Sequence, residues 1–187
     1  SSLDQISPFA RTVKDAAALL QVIQGFDPKD STSIHPADGT DYLASIDQPL
    51  SNLRVGVIQE LNGEGMQAEV NQSFNAAIQT FEKLGAQVRT LSLPAIRHGV
   101  AAYYIIATAE ASSNLSRFDG VRYGLRVGDQ ADIHTMYRKT RSQGFGPEVK
   151  RRIMLGTFAL SSGYYEAYYG KAQKIRQLLK NEMDLAW

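Results

Sequence analysis

The sequence predicts an α/β fold, with strands in the first half of the chain and a mainly helical second half. Three features predict it: a strand–helix–strand order between Leu53 and Pro94, an amphipathic helix before that unit, and helical character from about His98 to the end. The 187 residues are 43% hydrophobic, long enough for one domain with a real core or for a piece of a larger one.

The first element is a helix within residues 9–25, which Gly25 closes. Its apolar residues recur at helical spacing: Val13, Ala16, Ala17, Leu20 and Ile23. Residues 26–52 are rich in turn-forming and polar residues, so we expect a surface connection with room for a short helix near Tyr42.

The next three elements form a βαβ unit. Leu53–Gln59 is a short, β-branched run that predicts a buried strand, and Gln87–Pro94 alternates like a second strand. Between them, residues 68–86 predict a helix that ends at Gly85, with one apolar face made of Val70, Phe74, Ala77, Ile78 and Phe81. Such a unit pairs its strands in parallel, with a right-handed crossover.

A pair of arginines stands at the start of a helical, apolar segment in residues 144–176. At 100° per residue, Arg152 falls beside Gly156 and Ala159, and these small neighbours leave room for a partly buried guanidinium. A buried arginine needs a carboxylate partner, which is either an internal Asp or Glu or the carboxylate of a ligand. Arg151 is the alternative ion-pairing residue.

Composition excludes several classes of site. Lys and Arg number 20 against 19 Asp and Glu, so a main role in holding nucleic acid by charge is not expected. The absence of cysteine excludes disulfides and thiolate zinc sites and fits a reducing compartment. The three histidines, His35, His98 and His134, share no ligand spacing, so we expect no metal site. No apolar run approaches the length of a membrane span.

Other local patterns are weak signals for chemistry. The serine pairs at 1–2, 112–113 and 161–162 lie outside any GxSxG turn, and the glycines of residues 62–65 match no phosphate-binding loop. Residues 116–127 mix aromatics with arginines, as RNA-stacking segments do, but Asp119 and its neighbouring glycines favour a structural turn. The chain therefore shows no catalytic set of its own.

Both ends of the chain look like cuts within a longer protein. The sequence opens without Met or a signal-like region, and its last residues still follow a helical pattern without a stop signal. We expect residues 1–187 to be a single partial domain from the middle of a longer polypeptide.

Several long stretches carry a resemblance that covers essentially the whole chain. The sequence resembles the amidase signature family and, within it, the glutaminase subunits of tRNA-dependent amidotransferases. The resemblance is carried by residues 1–17, 26–33, 101–124 and 140–176, which read "SSLDQISPFARTVKDAA", "FDPKDSTS", "AAYYIIATAEASSNLSRFDGVRYG" and "TRSQGFGPEVKRRIMLGTFALSSGYYEAYYGKAQKIR".

This resemblance implies an α/β/α sandwich around a mixed sheet, of which the chain supplies the middle. It implies glutamine hydrolysis and transfer of the ammonia within a heterotrimer, in which another subunit uses ATP and Mg²⁺ to amidate the glutamate on misacylated tRNA(Gln). This segment would bind no cofactor itself. A cytoplasmic location is implied, with an organellar one as the alternative.

The same resemblance assigns site residues. The family's Ser–Ser–Lys catalytic set lies upstream of Ser1, so no catalytic residue is expected here, and the chain alone should be inactive. Tyr103 and Arg152 match a tyrosine and an arginine that contact the substrate amino acid, and a later aspartate of the family's pocket lies beyond Trp187. The tyrosines at 164, 165, 168 and 169 are expected to be packing residues.

Two other functions stay open. The chain could belong to another amide hydrolase of the same family, or it could be a non-catalytic module that docks other subunits through its helical half. Use of aspartyl-tRNA(Asn) instead of the glutamate-charged tRNA is a further alternative, because the tRNA is read by a partner protein.

Overall fold

The computed structural model describes residues 2–35, 41–49, 51–62, 65–128 and 132–187, and within these ranges the chain is an α/β structure, as predicted. The strands are β1 (Arg54–Ile58) and β2 (Gln87–Leu91). The helices are α1 (Val13–Ile23), α2 (Ala68–Lys83), α3 (Gly99–Leu115), α4 (Ile133–Gly144), α5 (Pro147–Ala159) and α6 (Lys171–Ala186).

The predicted βαβ unit is present. Strands β1 and β2 pair in parallel, with Val55 opposite Val88 and Ile58 opposite Leu91, and α2 is the connection between them. Glu60, just after β1, ties the two strand ends together. Its carboxylate accepts hydrogen bonds from Ser92 Oγ (2.7 Å) and from the Leu93 backbone N–H (2.9 Å). The Leu93 bond and then the Ser92 bond lower the pKa of Glu60 to about 2.

The prediction that β1 is a buried strand is wrong for the chain as described. Its residues are exposed or half-buried, and the predicted core face of α2 is likewise exposed at Val70, Phe74 and Phe81. The physical reason is the width of the sheet in the described residues: two strands present too little surface to cover both of their own faces and the helix that packs on them.

Helix α1 forms where its apolar spacing predicts, and Thr12 caps it by accepting a hydrogen bond from the Asp15 N–H (3.1 Å). The short helix near Tyr42 does not form. Residues 42–47 make consecutive turns instead, because the Asp41 side chain accepts the N–H groups of Leu43 and Ala44. Residues 36–40 and 50 of this connection, and Gly63 and Glu64 of the glycine-containing segment, lie outside the described residues.

The second half is helical, as predicted, and it holds the core. Ala102 and Ile106 of α3 pack against Ala172 of α6, and all three are buried. On another side, α3 packs against α5, where Gly156 lies against the α3 backbone. Small residues at both interfaces let the helices approach closely, so α3 is held between α5 and α6.

The segment between α3 and α4 makes the structural turn that Asp119 and its glycines predict. Asp119 Oδ1 accepts the Val121 N–H at 2.8 Å, and Gly120 and Gly124 adopt positive φ angles of 81° and 82°. The Phe118 ring meets the Tyr123 ring edge to face at 5.3 Å, so these aromatics pack on each other. None of the helices in the described ranges is both long and apolar enough to cross a membrane.

Candidate functional site

A cavity of about 300 Å³ lies beside α3 and α5 and contains both substrate-contacting residues expected from the sequence, Tyr103 and Arg152. Three parts of the chain line it: the N-terminal segment, one face of α3, and the first half of α5. The lining residues are Leu3, Asp4, Tyr103, Ala107, Ala111, Asn114, Leu115 and Arg152. The structure therefore brings together two residues that are 49 positions apart in the sequence.

Helical spacing on α3 creates one wall of this cavity. Tyr103, Ala107, Ala111 and Asn114 follow one another at intervals of four, four and three residues, so they lie on one stripe of the helix. The two alanines leave open space between the larger side chains at each end. The Tyr103 ring contacts the Tyr104 ring edge to face at 5.3 Å, which restricts its position at the cavity.

Arg152 reaches the cavity from α5. Its side chain is 41% exposed, and its Nε donates a hydrogen bond to Glu148 Oε1 at 3.0 Å, one turn earlier on the same helix. The pKa of Arg152 is raised above its ordinary value, first by the hydrogen bond and then by the charge of Glu148, with smaller contributions from Tyr103 and Tyr104. The guanidinium thus stays charged.

Glu148 is the internal carboxylate partner of both arginines, which is one of the two alternatives expected from the sequence. Arg151 Nη1 lies 2.5 Å from Glu148 Oε2, with a side chain that is 69% exposed. The pKa of Glu148 is lowered, chiefly by its hydrogen bond from Arg152. Because that bond uses Nε of Arg152, the four N–H donors of the two Nη groups are separate from it. A second carboxylate could bind those groups in a two-pronged manner.

The serine pairs have structural roles where the chain is described. Ser112 Oγ donates to the Ala109 carbonyl (2.8 Å), and Ser161 Oγ donates to the Phe158 carbonyl (2.7 Å), both within helical turns. Ser1 lies outside the described residues.

The histidines lie apart from one another in surface positions. The His35 ring stacks on Phe26 with ring centroids 3.9 Å apart, and the His134 N–H donates to Asp132, the N-cap of α4. Across the described ranges, no three His, Cys, Asp or Glu side chains are grouped to hold a metal ion.

The tyrosines after α5 pack against one another, as expected. Phe158 and Tyr164 have ring centroids 4.4 Å apart, and Tyr165 and Tyr169 have centroids 5.3 Å apart. These rings flank a π-helical turn, Glu166–Gly170, that leads directly into α6 and that sequence patterns did not indicate. Its tyrosines remain partly exposed on the helical half of the chain.

Sequence patterns also gave no indication of how the N-terminal segment is fixed beside the cavity. Glu110 of α3 accepts the Ser2 N–H at 2.6 Å and the Ser2 hydroxyl at 2.5 Å, and Arg176 of α6 donates to the same hydroxyl at 2.8 Å. Glu110 is seven residues after Tyr103 and so lies near the same stripe of α3, which periodicity could have indicated. No local pattern could have paired it with Ser2.

Comparison with known proteins gives consistent matches over the whole chain. The Amidase family profile matches residues 1–187. The A subunit of glutamyl-tRNA(Gln) amidotransferase from Macrococcus caseolyticus is 55% identical over 98% of this chain and 38% of its own length. The protein of the same name from Trichodesmium erythraeum is 51% identical over all of this chain and 39% of its own length.

Solved structures agree with these matches. A crystal structure of the A subunit of glutamyl-tRNA(Gln) amidotransferase from Thermotoga maritima has a TM-score of 0.70 and 39% identity, and the match covers all of this chain and 35% of the other. A crystal structure described as an amidase has a TM-score of 0.57 at 22% identity, covering 95% of this chain and 31% of its own, which supports the fold alone. The chain spans about two fifths of the length of the curated relatives it matches.

Proposed function

Because the chain belongs to the amidase family over its whole length, we propose that it is a partial domain of the glutaminase subunit of a glutamyl-tRNA(Gln) amidotransferase. Relatives of that name are more than half identical to it across nearly every residue. The α/β fold and its similarity to a solved structure of the same subunit support the same proposal.

In this proposal the complete subunit hydrolyses glutamine and passes the ammonia to a partner protein of a heterotrimer. The partner amidates the glutamate carried by tRNA(Gln) and supplies the site for ATP and Mg²⁺. The present chain contributes no catalytic group, since the nucleophilic serine, the second serine and the lysine of the family belong to other parts of the subunit. Its near-neutral charge is consistent with recognition of the tRNA elsewhere in the complex.

The observation that carries the proposal is the shared cavity of Tyr103 and Arg152. Free glutamine has an α-carboxylate, an α-ammonium and a neutral amide. The Nη groups of Arg152 match the carboxylate in geometry and charge, and the Tyr103 hydroxyl can hydrogen-bond the same end while its ring forms a wall. Binding one end of the substrate in this way would orient the amide toward a nucleophile, which is a positioning role.

Docking of other subunits is a second candidate function for the helical half. The aromatic surface of Phe158, Tyr164 and Tyr168 is partly exposed, and aromatic residues are enriched at the centres of protein interfaces. This function is compatible with the first. It becomes the only function if the complete subunit does not hydrolyse glutamine.

The deciding experiment measures ammonia release from glutamine by the complete subunit, purified with its partner subunits. We expect glutamine-dependent release, and amidation of the glutamate-charged tRNA when ATP is added. Release from simple carboxamides but not from glutamine would instead assign the chain to another amidase. Absence of any amide hydrolysis would leave subunit docking.

A further inference from the structure

Two helices hold the residue that precedes one wall of the cavity, and this wall is outside the residues assigned to substrate contact. Ser2 receives a hydrogen bond from Arg176 of α6 through its hydroxyl oxygen, and it donates its backbone N–H and its hydroxyl proton to Glu110 of α3. Its hydroxyl is therefore both a donor and an acceptor, in a relay that runs from Arg176 to Ser2 to Glu110.

The next two residues, Leu3 and Asp4, line the cavity together with Tyr103 and Arg152. Adjacent Cα atoms are about 3.8 Å apart, so a shift of Ser2 is transmitted directly to them. Asp4 brings a carboxylate to the cavity that holds the Arg152 guanidinium. Any movement of this segment therefore changes both the shape of the cavity and the position of a negative charge relative to Arg152.

Ser2 and Glu110 themselves line a neighbouring cavity rather than this one. That second cavity is bounded by Ser113 and Tyr169, among others, and it shares Asn114 with the first. The N-terminal segment thus runs along the border between two cavities. A free segment on such a border would be able to move toward either side, and the bonds from Glu110 and Arg176 oppose that movement.

We infer that Glu110 and Arg176 are positioning residues for the candidate glutamine pocket, because they hold Ser2 and thereby fix the Leu3–Asp4 wall. This inference rests on the proposed function, since it assigns a role in glutamine binding to groups that do not contact the cavity. Removal of the relay should weaken glutamine binding while the later steps, which start from ammonia, stay intact.

The test uses the complete subunit in complex with its partners, with initial rates measured at varied glutamine and, separately, at varied ammonia. Ser2→Ala removes the hydroxyl relay, and Glu110→Ala removes both acceptors. Each hydrogen bond of this kind contributes modestly, so we expect the KM for glutamine to rise about 3- to 10-fold, with kcat changed less than about threefold. The KM for ammonia should be unchanged.

Three further variants make the result specific. Glu110→Gln keeps one acceptor oxygen and should fall between wild type and Glu110→Ala. The double variant Ser2→Ala/Glu110→Ala should raise KM by less than the product of the single effects, because both act through the same bonds. Ser113→Ala is the matched control, a serine on the same helix that borders the neighbouring cavity, and it should leave KM at the wild-type value.

The inference is overturned if Ser2→Ala and Glu110→Ala both keep the wild-type KM for glutamine, if their effects simply multiply, or if ammonia use falls in parallel. Should Glu110→Ala fail to fold, Ser2→Ala decides alone, since Ser2 is exposed. Failure of the proposed function is a distinct result, namely wild-type complex that does not hydrolyse glutamine.

Discussion

Gly156 of α5 lies directly against the backbone of Thr108 in α3. A Cβ atom placed on Gly156 would be 1.9 Å from the Thr108 carbonyl oxygen and 2.9 Å from the Ala109 nitrogen. Both are far below any normal contact distance, so only glycine allows this approach. The contact occurs one turn after Arg152 and roughly one turn after Tyr103, and it therefore sets the distance between the two residues across the cavity.

We predict that Gly156→Ala destabilises the protein and impairs glutamine use. The added methyl group meets rigid backbone, so the two helices must separate, at a cost of about 1–3 kcal/mol in the free energy of unfolding. Urea denaturation measures this loss. Gly99→Ala is the matched control: its Cβ would meet only Leu179 Cδ1 at 3.9 Å, an ordinary contact, so stability should be kept or slightly increased. Equal stability of both variants would contradict the prediction.

For Arg152, we predict a selective loss of glutamine-dependent activity. Arg152→Ala removes the cation proposed for the α-carboxylate, and kcat/KM for glutamine should fall about 10- to 100-fold in the complete complex. Arg152→Lys should restore little, because an ammonium cannot reproduce a two-pronged contact. Ammonia-dependent amidation should survive both changes.

Arg151→Ala is the matched control for that experiment. Arg151 shares the carboxylate of Glu148 but is the more exposed of the two arginines. We expect its loss to change glutamine use little. If Arg151→Ala alone reproduces the defect, the assignment within the pair is wrong. If Arg152→Ala abolishes both glutamine and ammonia activities and lowers the Tm, Arg152 is only a structural ion-pair residue.

Tyr103→Phe should have a smaller effect than Arg152→Ala. The ring remains to form the wall, and only the hydroxyl is lost, so kcat/KM for glutamine should fall about 2- to 10-fold. Tyr104→Phe serves as the comparison, because Tyr104 contacts the Tyr103 ring but does not line the cavity. A larger loss with Tyr104→Phe than with Tyr103→Phe would contradict the proposed contact.

Glu60 predicts a specific pH dependence of stability. Its pKa is about 2 in the folded protein against an ordinary 4.5, because Leu93 and Ser92 donate to the ionised carboxylate. Between these values the unfolded chain binds more protons, so the stabilisation is complete above about pH 4.5 and is lost as the pH falls toward 2. Glu60→Gln should thus be less stable than wild type at pH 7, with a difference that shrinks on acidification. A difference in unfolding free energy that is constant from pH 7 to 3 would exclude this role.

Local patterns were sufficient to place most elements. The β-branched run of β1, the amphipathic spacing of α1 and α2, and the glycine-rich turn after Phe118 all depend on neighbours close in sequence. Burial was harder to predict. An apolar stripe such as that of Val70, Phe74 and Phe81 shows that a helix needs a covering surface, but it does not say which part of a protein supplies it.

The candidate site was predicted only in part. Tyr103 and Arg152 came from the resemblance, and helical geometry gave Arg152 its small neighbours, but not the backbone contact at Gly156 that joins α5 to α3. Glu148 as the shared partner follows from i,i+3 and i,i+4 spacing and could have been named in advance. The bonds from Ser2 to Glu110 and Arg176 span 108 and 174 residues and leave no local trace.

That last separation has a consequence for the time course of synthesis. A ribosome adds about 5–20 residues per second, so Arg176 is made about 10–35 s after Ser2. During this interval the N-terminal segment can bind Glu110 but not its second partner. The wall of the candidate pocket thus reaches its final position only after α6 has emerged and packed on α3, which makes the order of translation part of how the binding site is assembled.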